Sequence, residues 1–233
     1  MSQIFEVGHE AGDLSEYSST VTDSGDLSVS AAAALAGSAY GLDVLIDGTG
    51  AIYGRIDFST LTSGVYRFRC YIDPNGLTMA SGDQFRFLKV AVGGSDRALL
   101  RLNYNGSDYR LSGLVKDDAT SNQTTSHYVI TDGPHYVEAM VEYASSDVAI
   151  DAKFTLWVDG VQQEQVTGLD IYDITQPDSV RIGAVTNVDA GTTGTLYLDG
   201  LILRDDAEEI GEGAAHYFRP VLGLAVPVRQ LRI

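Results

Sequence analysis

The chain has 233 residues, of which 44% are hydrophobic and 20% charged, and its formal net charge is −17. That much apolar residue supports a packed core and argues against global disorder, while so negative a surface repels nucleic-acid phosphates and anionic lipid headgroups. Cys70 is the single cysteine, which excludes an intrachain disulfide.

The opening Met1-Ser2-Gln3-Ile4-Phe5-Glu6 lacks the basic stretch and apolar run of a secretory signal. The Ala-rich residues 31–37 fall well short of a membrane span. The expectation is a soluble protein made in the cytoplasm, with no membrane insertion and no nucleic-acid partner. Export by a non-classical route is the alternative.

Strands follow from period-2 runs cut by turn residues. Residues 40–46 end at Asp47-Gly48, and 51–58 follow. Residues 65–72 end at Asp73-Pro74-Asn75-Gly76, where proline presets φ and Asn-Gly tolerates positive φ. Residues 84–92 end at Gly93-Gly94, and 98–104 and 109–116 flank the hairpin signal Asn105-Gly106. Residues 135–143, 152–159, 161–167, 179–185 and 195–204 complete the set, with Asp159-Gly160 turning 152–159 into 161–167. Helical periodicity is sustained nowhere; residues 31–36 and 169–174 are each long enough for a single turn. Many short strands with 25 glycines and five prolines predict an all-β chain folded as an antiparallel sandwich.

Alternation assigns faces. Tyr66, Phe68, Cys70 and Ile72 form one core set, which makes Cys70 a small buried residue rather than a reactive thiol. Phe154, Leu156 and Val158 form another.

The C-terminus differs in character. Residues 206–213 are acidic and Gly-containing and are expected to link a 1–205 sandwich to an arm at 214–233. The arm holds three arginines and no acid, with Tyr217, Phe218, Arg219, Leu222, Leu224, Arg229, Leu231 and Arg232 as its contact residues. Pro220 and Pro227 limit it to an extended segment. It either packs back on its own domain or docks on a neighbouring subunit through complementary charge.

Three phrases carry a family resemblance. Phe5-Glu6-Val7-Gly8, followed by Gly12-Asp13-Leu14-Ser15-Glu16-Tyr17, is similar to the opening of many bacterial and phage jelly-roll binding modules, with Tyr17 where a Trp is usual. His135-Tyr136-Val137-Glu138 leading to Leu156-Trp157-Val158-Asp159-Gly160 resembles their penultimate strands, and Leu196-Tyr197-Leu198-Asp199-Gly200-Leu201-Ile202-Leu203 their closing strand. Over about residues 3–205 the chain resembles concanavalin A-like, laminin G-like domains. The resemblance implies a two-sheet jelly-roll sandwich that binds glycans or serves as a structural module. It also implies a structural Ca²⁺ held in part by Glu6 and Asp199, although two acids supply too few of the six to eight oxygens calcium takes. No other cofactor is required.

Catalytic spacings are absent. Glu138 and Glu142 are the one same-face carboxylate pair within a strand and are expected to be a solvent-facing stripe; a polysaccharide hydrolase of this fold uses a tighter acidic cluster. His9, His127, His135 and His216 are scattered, and no serine sits in a nucleophile elbow.

A binding face is suggested by Arg67, Arg69 and Tyr71, by Arg86, Arg101 and Arg110 within other strands, and by Trp157 and Tyr197 as stacking platforms. Twelve of the fifteen basic residues are Arg, which suits forked contacts to uronic or sulfated sugars; pairing with neighbouring acids is the other reading. The expected function is a non-catalytic phage virion accessory protein, a capsid decoration or fibre-like component, displaying a glycan-binding jelly roll and assembling as a homo-oligomer or with other virion subunits. The alternatives are a carbohydrate-binding module of a polysaccharide-degrading system and a divergent polysaccharide hydrolase or lyase.

Overall fold

The computed structural model describes residues 2–35, 37–173 and 176–212. In chain order its strands are β1 (Gln3–Val7), β2 (Ser19–Val21), β3 (Leu27–Ser30), β4 (Gly41–Ile46), β5 (Ile52–Asp57), β6 (Val65–Asp73), β7 (Gln84–Val92) and β8 (Ser95–Tyr104). They continue with β9 (Tyr109–Lys116), β10 (Asn122–Thr124), β11 (Tyr128–Ile130), β12 (His135–Glu142), β13 (Ala152–Val158), β14 (Val161–Leu169), β15 (Ser179–Thr186) and β16 (Gly194–Arg204).

Two antiparallel sheets form a jelly-roll sandwich. Sheet A runs β14-β13-β12-β6-β16-β4-β3 with β1 also on β16; sheet B runs β10-β9-β8-β7-β15-β5-β2 with β11 also on β9. The hairpins β8–β9 and β13–β14 stay within one sheet, whereas β4 to β7 and β14 to β16 alternate between sheets. The inward faces are those the alternation predicts. Tyr66, Phe68, Cys70 and Ile72 from sheet A and Phe85, Leu100, Leu102 and Ile182 from sheet B are at most 1% exposed and share one core. Burial pushes the Cys70 thiol up to about 12, so it is inert.

Every strand expected from periodicity is present, with ends moved by a few residues. The five unforeseen strands are short or polar: β2 is exposed throughout and β10 reads Asn-Gln-Thr. β3 alternates Leu-Ser-Val-Ser with Leu27 in the core, but at three to five residues these strands are too short for the pattern to stand out. Among the described residues the one short helix is a 3-10 turn at Asp23–Gly25; residues 31–35 hold an isolated turn closed by Ala34 N–H to the Ala31 carbonyl (3.4 Å). Asp159 and Gly160 take φ of 50° and 75°, the left-handed pair that a two-residue hairpin demands. At Gly54 a Cβ would sit 2.4 Å from the Tyr17 ring, so glycine there is what lets Tyr17 lie flat on β5.

Candidate functional site

The residues singled out from sequence divide between the two outer faces of the sandwich. On sheet A, antiparallel register sets Arg69 opposite Glu138, Tyr71 opposite Tyr136, and Glu138 opposite Trp157. Asp199 and Ile202 of β16 flank Tyr71 and Arg69 on the other side. Arg67 stacks on Trp157, its guanidinium carbon 4.4 Å from the ring centroid, and its Nε donates to Glu138. Arg69 lies 4.8 Å over Tyr71.

This face is closed by the chain itself. After β16, residues 206–212 run back across it. The Arg67 guanidinium donates to the Ala207 carbonyl (3.0 Å), and Arg69 (3.2 Å) and the Tyr71 hydroxyl donate to that of Glu212. Glu138 accepts the backbone N–H groups of Ile210 (2.9 Å) and Gly211 (3.1 Å). Residues 206–212, expected as a linker, are therefore a strap, and Glu138, expected as part of a solvent-facing stripe, is 1% exposed. The reason is chemical: a carboxylate facing outward in register with arginine gathers donors, and the strap supplies two of them. The contact residues of the expected arm, from Tyr217 to Arg232, lie outside the described residues.

Beneath one edge of the strap lies a cavity of about 200 Å³ lined in part by Glu6, Asp199, Arg69 and Glu209. Glu6 and Asp199 thus share one cavity. Asp199 already accepts hydrogen bonds from His9 Nδ1 (3.0 Å), Leu35 N–H (3.1 Å), Ser38 Oγ (2.5 Å) and Gly200 N–H (2.7 Å). His9 Nε2 meets the Tyr17 hydroxyl at 2.7 Å. Asp199, His9 and Tyr17 form a buried polar chain that ties the N-terminal loop to the closing strand; Asp199 acts there as an acceptor for four protein donors. Tyr197 sits on the same sheet face opposite Asp43 and Asp73 and is half-buried. Among the described residues, one carboxylate trio, exposed Asp23 and Asp47 with half-buried Asp26, brings its oxygens within 4.8 Å of one another.

Sheet B presents the contrasting surface. Arg86 of β7 is directly opposite Arg101 of β8, and the next outward pairs are Gln84–Asn103 and Asn103–Arg110. Two like charges opposed across a ladder destabilise it slightly. Burial and the charge of Arg86 pull the Arg101 guanidinium below its usual value. Among the described residues neither Arg86 nor Arg101, nor Arg110 or Arg181, reaches a carboxylate within 4.0 Å. Their partners are neutral: Arg86 donates to Asn187 Oδ1 (2.6 Å), Arg101 to Gln84 Oε1 (3.0 Å) and Ser112 Oγ (3.0 Å), and Arg110 to Asn103 Oδ1. A notch of about 20 Å³ between Gln84, Arg86, Arg101 and Asn187 leaves room for roughly one water-sized group.

His127 completes this cluster. It lies between β10 and β11, both of which pair with β9, and Arg101 Nη2 approaches its Nε2 at 3.1 Å. Guanidinium only donates, so Nε2 is the unprotonated nitrogen and the ring is neutral. Desolvation first, and the charges of Arg101 and Arg110 second, lower the His127 pKa. Arg86 and Arg101 are thus cations with no carboxylate within 4.0 Å beside a neutral base, which suits an anionic ligand, whereas Arg110 feels the charge of Asp108.

The single face expected from sequence is thus two. Arg67, Arg69, Tyr71, Trp157 and Tyr197 belong to sheet A, where all but Tyr197 make the contacts that tie down the strap or its arginines; Arg86 and Arg101 belong to sheet B. Neither spacing nor neighbours mark His127 in the sequence; only the register of β8, β9 and the two short strands brings it to Arg101.

No family model matches the chain, and no curated protein matches it. Solved structures do share the fold. An endo-β-1,4-glucuronan lyase from the fungus Trichoderma reesei superposes with a TM-score of 0.61 at 12% identity, over 87% of this chain and 95% of that one. A variant of the alginate lyase Aly36B in complex with an alginate trisaccharide gives 0.54 at 12%, over 82% and 95%. The globular domain of T. cruzi calreticulin gives 0.56 at 12%, over 88% of each chain. These likenesses establish the sandwich fold expected from sequence. They also correct the expectation of a non-catalytic chain, because two of these structures, matched over nearly their whole length, are polysaccharide lyases. They lend nothing to the virion role.

Proposed function

We propose that the protein is a polysaccharide lyase acting on polyuronates at the outer face of sheet B. The observation that carries this reading is the Arg86–Arg101 pair, which faces outward without a carboxylate partner and holds neutral His127 on Arg101 Nη2. The glucuronan and alginate lyases of the same fold act on uronate polymers, which supports the substrate class.

In a uronate the C5 hydrogen is acidified by the adjacent carboxylate, and neutralising that carboxylate is the largest contribution a site can make. Arg86 and Arg101 would clamp the carboxylate, and drawing Arg101 onto it releases His127 Nε2. His127 then takes the C5 proton; the C–H electron pair becomes the C4–C5 double bond, the C4–O4 bond breaks, and the leaving oxygen takes a proton from water. A pKa lowered below the usual histidine value keeps this base unprotonated at neutral pH. The amide N–H groups of Gln84 and Asn187, whose oxygens hold the two arginines, offer neutral hydrogen bonds for sugar hydroxyls around the clamp.

The test is incubation with alginate, glucuronan and a neutral β-glucan, following the ultraviolet absorbance of the unsaturated product and, separately, binding by calorimetry. Turnover on a uronate polymer only is expected, and Arg101→Ala or His127→Ala should lower kcat/KM by about a hundredfold or more. Turnover of the neutral glucan, or neither binding nor turnover of any polyuronate, would overturn the reading. Binding without turnover would overturn the lyase reading and leave sheet B as a polyuronate-binding face.

A further inference from the structure

One cation of the same face stands apart from the clamp. On the next outward row of sheet B, Arg181 of β15 lies opposite Arg55 of β5 on one side and Lys89 of β7 on the other. Three cations side by side repel one another unless neutralised. Arg55 is paired with Asp57 (2.6 Å) and Lys89 with Asp96. Arg181 has no such partner among the described residues; its Nε is buried without a hydrogen bond, and its guanidinium lies 4.9 Å over the Tyr53 ring. Tyr53 is itself opposite Gly183, so no cross-strand side chain covers that side of the ring.

The rows are bulged apart: Lys89, opposite Arg181, is three residues of β7 from Arg86, about 10 Å along the strand, and on β15 the residue opposite Arg86 is Thr186, five residues from Arg181. A single carboxylate does not reach both. Two unneutralised cationic positions, the second with an aromatic ring beneath it, match a ligand that repeats its negative charge.

Building on the lyase reading, we infer that Arg181 and Tyr53 form a second uronate subsite, so that the polymer crosses β8, β7 and β15 obliquely and the site takes internal stretches of chain in preference to short fragments. Arg181 binds a carboxylate one or more sugar units from the bond that breaks, and Tyr53 holds the guanidinium plane and the sugar ring in place.

The experiment compares wild type and Arg181→Gln on a polyuronate and on its disaccharide, by both calorimetric affinity and kcat/KM, with thermal midpoints to confirm folding. On the polymer Arg181→Gln should lose about tenfold, and on the disaccharide less than about twofold, the difference being one charge-assisted contact. Arg181→Lys should recover part of the polymer loss. Equal losses on both substrates, or none on either, would sink the subsite. If wild type acts on polyuronates and Arg181→Gln is indistinguishable from it, only this inference fails; if wild type binds none, both readings fail together.

Discussion

The outer faces of the two sheets carry similar residues and have opposite fates. On sheet A, outward arginines meet one outward carboxylate, Glu138, and a strap of the same chain seals them over. On sheet B, Arg86, Arg101 and Arg110 meet amides, a serine and a histidine, and nothing among the described residues seals them. What separates a structural surface from a candidate binding surface here is the position of a single acid. In a chain of net charge −17, arginines left without acids are the exception, and their clustering is more informative than their number.

The largest effect that should separate the faces is on stability. Glu138→Ala strands a buried guanidinium and two backbone donors, and it is expected to cost about 3–5 kcal/mol in urea unfolding. Arg101→Ala, on the open face, leaves no buried charge behind. It should change stability by only about 0.5 kcal/mol while removing the uronate clamp. If Glu138→Ala proves as mild as Arg101→Ala, the strap is not seated as described. Trp157→Ala comes next: it removes the ring under Arg67 but spares the Arg67–Glu138 pair, and a loss of about 1–2 kcal/mol is expected. It should leave turnover untouched, because Trp157 faces away from sheet B. A turnover loss there would return sheet A to consideration as a glycan platform.

These contrasts also show how far the sequence could be read. Long strands with one buried face announced themselves through alternation, and so did the core role of Phe154, Leu156 and Cys70. Which outward residues share a face did not, because that depends on which strands pair. Arg67 and Arg86 have the same local pattern, yet β6 lies beside β12 in sheet A and β7 beside β15 in sheet B. Glu138 was misjudged for the same reason: alternation places it outward, but only the return of residues 206–212 makes outward mean buried. His127 was illegible, since a histidine in a Thr-Ser-His-Tyr stretch has no periodicity and gains its meaning from a bond to a residue 26 positions away.

The smallest expected effect probes the open face most finely. Arg110 is bonded to Asn103 rather than placed in the clamp, yet its charge is one of the causes that lower the His127 pKa. The unprotonated ring is the active base, so kcat/KM should rise with pH through that lowered pKa and then level off. Arg110→Ala removes one cation, which makes protonating His127 less costly and moves its pKa back up toward the usual 6.5. The acid limb of the profile should therefore shift to higher pH, whatever happens to the height of the plateau. Desolvation, the first cause, stays in place, so the shift should be only partial. An unmoved limb would mean that the titrating group is not His127; a limb moved to lower pH would rule out the electrostatic cause, because loss of a nearby cation raises the pKa of an acid and of a base alike.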